Sequence, residues 1–349
     1  MPAASLSRIA LSLLSLLVVF TPAPLLAWGY QGHRVVGSIA DKLLKNTNAA
    51  KQVQTILNNG DPNGALTLRL VGPWADCARS VQLKDGTFQY QVNKDHPEFE
   101  TPCVPFTDDR DRLVDYAKRN WTNCATDAAP QPGECHTSYH FDDVAIQRDS
   151  FNRNEHGTND HDVVAAIGAA IAMLQGKTVP PPFSIKDKKE ALMLLVHFVG
   201  DLHQPLHVGS VYLDADGKLV DPDSGPKLDP ATETRGGNSL QDQNVNLHAE
   251  WDDIPFDIGD KWTRELVTAA GSVPASEGTI DDWPASWATD SIHVARLAFA
   301  GLHFQRTDTN DKGTWNVAYE DRTAYLLMAD LIKRRQLAKG GAHLAEILK

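Results

Sequence analysis

The stretch VHFVGDLHQPLHV, residues 196–208, carries the strongest structural signal in the chain. It ends an apolar segment, residues 188–202, that predicts a helix stopping before Pro205, because the backbone before a proline disfavours helix. His197 and Asp201 are four residues apart, so this helix places them on one face. Such a pair is usually a surface or capping feature. Within an apolar helix it favours a metal site, because buried ionisable groups are costly unless they are paired or metal-bound.

A second His/Asp pair with the same spacing occurs later in the chain. His248 and Asp252 lie in the sequence NLHAEWDD, and His207 follows the first pair just beyond Pro205. Histidine and carboxylate are ligands that zinc commonly takes in proteins. Two such pairs in one chain are harder to explain by chance than one, so together they predict a metal centre.

Shorter motifs supply further candidate ligands. They are WGYQGH at residues 28–33, WADCAR at residues 74–79 and YHF at residues 139–141. Each has a plainer interpretation when it is taken alone. His33 could be a surface residue, Asp76 a helix cap and His140 a hydrogen-bonded core histidine. The WADCAR motif also places an arginine, Arg79, one helical turn after the carboxylate.

The rest of the chain is mostly helical in pattern, because few runs alternate with a period of two. The sequence predicts an all-α, mostly helical single domain over residues 28–349, with strands as minor elements. Two segments rich in turn-forming residues, 77–135 and 214–237, are predicted to be loops or inserts. The further helices are predicted at residues 35–44, 162–174, 287–304 and 324–337.

The first 27 residues have the pattern of a signal peptide. An apolar run over residues 9–20 is too short to span a bilayer comfortably, and the sequence LLA at 25–27 supplies a small residue for cleavage. The alternative is an uncleaved membrane anchor. Cleavage would make Trp28 the new N-terminus, and the mature protein would be secreted or periplasmic.

The net charge of the chain restricts how it could bind nucleic acid. The net charge of −12 argues against a broad basic binding face. It does not exclude a nucleic-acid substrate, because bound metal ions can be the dominant local charge in a site.

The four cysteines lie within residues 77–135. An even count in an exported chain predicts two disulfides, and three pairings are open. The alternative is a cysteine zinc site, which the spacings do not favour because they lack a CxxC element.

Taken in order, the motifs resemble those of the plant and fungal single-strand-specific zinc nucleases, the mung bean nuclease type or S-one/P-one nucleases, which share a fold with zinc-dependent phospholipase C. The resemblance covers Trp28 to about Asp252. It implies a cluster of three zinc ions. The implied ligands are Trp28, His33, Asp76, His140, His197, Asp201, His207, His248 and Asp252.

The resemblance also implies how these ligands share the metals. Asp201 would bridge the first two zinc ions, and His207, His248 and Asp252 would hold a third, more open one. The first ion would take Asp76, His140 and His197, and the second the amino group and carbonyl of Trp28 with His33.

The implied activity is hydrolysis of phosphodiester bonds in single-stranded DNA and RNA to 5′-nucleotides, together with 3′-nucleotidase activity. Asp76 and Arg79 would be the catalytic residues, with Arg79 neutralising charge on the phosphate. Phe141 would stack on a base, although a core phenylalanine is the alternative. Asp143 would bind the base edge, and Asn238 would line the site.

The chain departs from the family at one point, and three further histidines match no implied ligand. The gap from Asp76 to His140 is longer than in the eukaryotic members, so base preference does not carry over. Between the ligands, His203 matches no ligand position, and its expected role is to support one. The roles of His156 and His161 are undecided.

Two other functions compete with the nuclease. A phospholipase C acting on phospholipid is possible on the same fold, but the short spacing from Trp28 to His33 and an aspartate at Asp252 favour the nuclease. A secreted zinc-binding protein without catalysis is the other, and it would need neither Arg79 nor an open metal site. The sequence indicates no stable protein partner.

Overall fold

The structure is a computed structural model that describes residues 28–94, 97–124, 134–224, 229–243, 245–307 and 314–349. The predicted signal peptide lies outside these residues. Within them, no helix combines the length and apolar character needed to cross a membrane.

Helices are the main regular structure of the described chain, so the prediction of a mostly helical fold is confirmed. Segments of 3₁₀ helix occur at Pro97–Asp109, Cys135–Thr137, Pro205–His207 and Pro230–Thr232. The α-helices are α1 (Tyr30–Leu44), α2 (Asn48–Leu57), α3 (Leu68–Val71), α4 (Trp74–Ala78), α5 (Arg110–Arg119), α6 (Val163–Leu174), α7 (Lys188–Leu202), α8 (Leu247–Asp252), α9 (Arg264–Ala270), α10 (Trp283–Phe299) and α11 (Arg322–Ile347).

Small sheets are also present, so all-α is too strict a description. The strands are β1 (Val81–Lys84), β2 (Thr87–Tyr90), β3 (Val144–Ala145), β4 (Gly209–Ser210), β5 (Leu240–Asp242), β6 (Val245–Asn246), β7 (Leu302–Arg306) and β8 (Trp315–Tyr319). Strands β1 and β2 form an antiparallel hairpin, β3 and β4 pair in parallel, and a four-stranded sheet has the order β6-β5-β8-β7.

The helix predicted at residues 287–304 is wrong at its C-terminal end. Helix α10 ends at Phe299, and the chain enters β7, which pairs antiparallel with β8. Side chains in β7 alternate between more and less buried positions, a period of two that belongs to a strand. The apolar pattern of α10 continues into Leu302 and Phe304, so the sequence does not indicate where the helix ends and the strand begins.

Helix α7 lies at the centre of the core, and its predicted bounds are confirmed. It begins after Asp187, whose side chain accepts a hydrogen bond from Glu190 N at 2.9 Å. All residues from 190 to 202 are buried. The helix packs against α1, α4, α6 and α11, so any polar side chain on it must find its partners inside the protein.

The described part of residues 77–135 has more regular structure than the predicted loop, because it contains the β1–β2 hairpin and helix α5. The prediction of two disulfides is confirmed, and the pairs are Cys77–Cys103 and Cys124–Cys135. No cysteine is free, so the alternative of a cysteine zinc site is wrong.

An ion pair connects this segment to the central helix. The Arg119 guanidinium donates to both carboxylate oxygens of Glu190, at 2.9 and 2.8 Å. Glu190 has no exposed side-chain surface. The bond therefore joins α5 to the buried N-terminal turn of α7.

We predict that Arg119→Ala destabilises the protein by about 3 kcal/mol, because a buried carboxylate loses its partner. The control is Lys177→Ala, which removes an exposed ion pair with Asp281 and should cost less than about 1 kcal/mol. Urea unfolding followed by circular dichroism measures both. Equal free energies of unfolding in the two variants would contradict the prediction.

Candidate metal centre

Histidine and aspartate side chains from six segments converge in the interior. They come from α1, α4, α7 and α8, from the turn at His140 and from the 3₁₀ segment Pro205–His207. The pairing of β3 with β4 brings the His140 segment beside the His207 segment, where Asp142 N donates to His207 O at 2.8 Å. None of the eight side chains is more than 8% exposed, and they are His33, Asp76, His140, His197, Asp201, His207, His248 and Asp252.

The larger cluster, called here the Asp201 group, consists of His33, Asp76, His140, His197 and Asp201. Asp201 Oδ2 lies 3.0 Å from His140 Nδ1 and 3.2 Å from His197 Nε2. Asp76 Oδ1 lies 3.7 Å from His197 Nε2. Ligands of one tetrahedral zinc ion lie roughly 3.4 Å apart, so these atoms have the separations of a shared metal site.

The two oxygens of Asp201 face different partners. While Oδ2 faces His140 and His197, Oδ1 lies 3.3 Å from His33 Nε2. A carboxylate placed in this way can contact two metal ions at once. The geometry is therefore compatible with the bridging role implied for Asp201.

The smaller cluster, called here the His248 group, consists of His207, His248 and Asp252. Each histidine Nε2 lies 3.6 Å from a different oxygen of Asp252, and the two Nε2 atoms are 3.1 Å apart. Gln204 Nε2 donates to Asp252 Oδ1 at 2.8 Å and holds that carboxylate in place. Both clusters contain sets of three side chains that could hold a metal ion.

Backbone carbonyls orient the histidines of both groups. His197 Nδ1 donates to Gly72 O at 2.7 Å, His207 Nδ1 to His140 O at 2.9 Å and His248 Nδ1 to Gly236 O at 2.7 Å. A proton on Nδ1 leaves Nε2 unprotonated and directed at the cluster. This arrangement is the one found around metal-binding histidines.

Buried polar atoms without partners also fit a metal. Both ring nitrogens of His33, both oxygens of Asp76 and Oδ1 of Asp201 are buried and make no hydrogen bond with any described residue. Burial lowers the pKa of His140 to about 4, so its imidazole is neutral, which is the form that binds metal. A cation would satisfy the lone pairs that the protein leaves unpaired.

Trp28, the remaining predicted ligand, begins the described chain. Its side chain is fully buried, and the next residue, Gly29, donates its N–H to Asp252 O at 2.9 Å. The start of the described chain is thus attached to the segment that supplies Asp252.

A cavity of about 210 Å³ opens next to both groups. Arg79 lies on its wall with its side chain 30% exposed, and its Nη1 is 3.6 Å from Asp76 Oδ1. Phe141 is 41% exposed and also lines the cavity, so the alternative of a core phenylalanine is wrong. The lining residues are Arg79, Thr137, His140, Phe141, Asp143, Leu206, His207, Arg235, Asn238 and His248.

The two other predicted substrate residues, Asp143 and Asn238, line the same cavity. Burial raises the pKa of the Asp143 carboxyl to about 7, while a hydrogen bond from Ser210 acts against the rise. Asn238 Nδ2 donates to Arg235 O at 2.8 Å. The Asn238 Oδ1 is buried and has no hydrogen-bond partner among the described residues.

His203, which was expected to support a ligand, and the two undecided histidines, His156 and His161, join neither group. His203 Nδ1 donates to Val199 O at 2.7 Å, and its Nε2 lies 2.8 Å from His343 Nδ1 on α11. His156 faces Glu233, and His161 faces Asp160. The side chain that supports a candidate ligand is Gln204 rather than His203, and no spacing in the sequence distinguishes the two.

Two buried His/Asp groups beside a cavity that also contains an arginine define a site suited to metal-dependent hydrolysis of an anionic substrate. The family model described as S1/P1 Nuclease matches residues 28–349. The chain therefore belongs to the S1/P1 nuclease family and is a hydrolase of the nuclease class. None of the curated proteins compared with the chain matches it.

We predict that Gly236→Ala weakens metal binding at the His248 group by about 10- to 100-fold, the usual effect of losing a partner that orients a ligand. Gly236 has φ +56°, and a Cβ there would lie 2.1 Å from Leu206 O, so the loop must shift and move the carbonyl that orients His248. Zinc titration of the metal-free protein measures the affinity.

The matched control is Gly60→Ala. Gly60 has φ +83° and no atom within 4 Å of an added Cβ, so the variant carries the same kind of backbone strain without the clash. Equal zinc affinity in the two variants would show that the Gly236 carbonyl does not control the site.

Proposed function

We propose that this chain is a secreted or periplasmic zinc-dependent endonuclease. Its substrates would be single-stranded DNA and RNA, its products 5′-nucleotides, and it would also act as a 3′-nucleotidase. The observation that carries the proposal is the shared cavity, where an arginine and an exposed phenylalanine flank the His/Asp groups of a nuclease-family member.

The donor set supports zinc as the metal, because imidazole and carboxylate without thiolate suit a catalytic zinc site. We assign three zinc ions to the two groups. The Asp201 group and the Trp28 amino group and carbonyl would hold two ions, and the His248 group would hold one. The two directions of the Asp201 carboxylate support its shared role.

Zinc supplies Lewis acidity and lowers the pKa of water so that a nucleophile is available near neutral pH. The protein supplies position and charge around it. Asp76 anchors the Asp201 group and also lies 3.6 Å from Arg79, so the arginine is held at the edge of the metal site. Arg79 would bind the phosphate and stabilise the charge that develops during cleavage.

Phe141 supports the preference for single strands. A base can stack on an exposed aromatic ring only when it is free of its partner strand. Asp143 and Asn238 lie on the same cavity and would hydrogen-bond the edge of the stacked base. A paired base in a duplex offers neither its face nor its Watson–Crick edge.

The net charge of −12 is compatible with an anionic substrate because the cavity has its own cations. Arg79 and Arg235 lie on its wall, and bound metal would add to them. Two disulfides support an oxidising compartment and hence export after cleavage of residues 1–27.

We predict that protein with an authentic Trp28 terminus cuts single-stranded DNA and RNA much faster than duplex DNA and releases phosphate from 3′-AMP. Chelation should abolish each activity, and added zinc should restore it. Product analysis should find 5′-phosphates. The same assay run on phosphatidylcholine tests the phospholipase alternative.

Other outcomes would contradict the proposal. Hydrolysis of phosphatidylcholine without cleavage of nucleic acid would indicate a phospholipase C. Zinc binding without hydrolysis of any substrate would indicate a zinc-binding protein.

We predict that Arg79→Ala lowers kcat for single-stranded DNA by about 100-fold with a smaller change in KM, because the charge acts mainly in the transition state. Arg79→Lys should recover part of the loss, since it keeps the charge without the planar fork. Steady-state kinetics with zinc content matched to the wild type measures both. A raised KM with unchanged kcat would make Arg79 a binding residue only.

A further inference from the structure

Arg235 lines the cavity, and the proposed function gives it no contact with the base. It precedes two glycines, and all three residues have left-handed backbone, with φ of +52°, +56° and +89°. A residue with a Cβ rarely adopts this conformation unless its surroundings hold it there. Here Thr234 Oγ1 donates to Val211 O at 2.6 Å, and Gly236 N donates to Ser210 Oγ at 3.0 Å.

The Arg235 side chain is held along one edge only. Its Nε and Nη2 donate to Ser239 Oγ at 3.3 and 3.1 Å. Among the described residues, Nη1 has no hydrogen-bond acceptor. The guanidinium is thus fixed on the cavity wall with donors still available.

Arg235 and Asp143 line the same cavity, and the positive charge of Arg235 acts on the Asp143 carboxyl. Burial raises the pKa of Asp143, and the positive charge of Arg235 opposes that rise. The cavity therefore offers a fixed set of polar groups to a stacked base. Asp143 accepts hydrogen bonds, and Arg235 donates them.

Guanine matches this set best among the bases. Its N1–H and N2 amino group are adjacent donors for a carboxylate, and its O6 and N7 are adjacent acceptors for a guanidinium. Adenine and cytosine each offer one amino group beside a ring acceptor, and thymine and uracil offer a single N–H. Only guanine pairs adjacent donors on one edge with adjacent acceptors on another.

We propose that Arg235 is a specificity residue that makes this site prefer guanine, by donating to O6 and N7 while Asp143 accepts from N1–H and the N2 amino group. Phe141 would stack on the same base. The inference rests on the proposed nuclease function, because it needs a base bound in this cavity.

The test uses short single-stranded oligothymidylates in which one central residue is guanine, adenine, cytosine or thymine. Cleavage at the central residue is divided by cleavage at thymines elsewhere on the same strand, so each strand carries its own reference. We expect the guanine ratio to exceed the other three by roughly tenfold, the discrimination expected from a bidentate base contact. In Arg235→Ala it should fall towards the adenine ratio, and Arg235→Lys should lie between.

Base analogues separate the individual contacts. Replacing guanine with 7-deazaguanine removes N7 and should lower the ratio in the wild type but not in Arg235→Ala. Hypoxanthine removes the N2 amino group and should lower the ratio in both. The control variant is Arg264→Ala, which removes one exposed positive charge outside the cavity and should leave the guanine ratio unchanged.

Three results would overturn the inference while leaving the nuclease proposal intact. They are cleavage without base preference in the wild type, an unchanged guanine ratio in Arg235→Ala, and a loss of rate in Arg235→Ala that is equal at every base. The last would assign Arg235 to the phosphate backbone. No cleavage at any residue by the zinc-loaded wild type would instead contradict the proposed function itself.

Discussion

The structure depends on placing imidazoles and carboxylates in the middle of an apolar core. His197 and Asp201 have no exposed surface, and they lie on a helix that is buried on all sides. Buried ionisable groups cost several kcal/mol each unless they find partners. The surrounding elements therefore have to supply polar partners rather than apolar side chains.

Close packing between α1 and α7 follows from the same requirement. The rings of His33 and His197 stack with centroids 3.7 Å apart. A Cβ at Gly200 would lie 2.6 Å from His33 Nδ1, so only glycine leaves room for that ring on α7. The approach of the two helices is thus fixed by the Asp201 group, and metal binding would stabilise the packing as well as the chemistry.

The parts of the fold that could be predicted are those determined by residues close to one another in the sequence. Helix α7 has an apolar run, a capping aspartate and a stop before Pro205, and all three act on neighbouring residues. Two of the candidate ligand pairs share a spacing of four residues, which predicts a metal centre, whereas His33, Asp76 and His140 are assigned to it through the family resemblance.

The features that the sequence did not predict depend on contacts between residues that are distant in the chain. Arg119 is 71 residues from Glu190 in the sequence, and only the folded chain shows that this bond attaches α5 to α7. Strand β7 forms by pairing with β8, which lies later in the chain. The apolar residues of β7 continue the helical pattern of α10 and do not by themselves indicate a strand. Gln204 and the Gly236 carbonyl orient candidate ligands through hydrogen bonds, and no local signal marks either of them.

The loop at residues 234–239 links metal binding to the cavity wall. The Gly236 carbonyl orients His248, while Arg235 and Asn238 on either side of the glycine pair line the cavity. Their backbones are constrained together by the left-handed turn and its anchors on Ser210 and Val211. A change in the loop backbone would therefore alter a candidate metal ligand and the cavity wall at once. The Arg235 side chain bonds Ser239 rather than the anchors on Ser210 and Val211, so replacing it would alter the cavity wall while leaving those anchors in place.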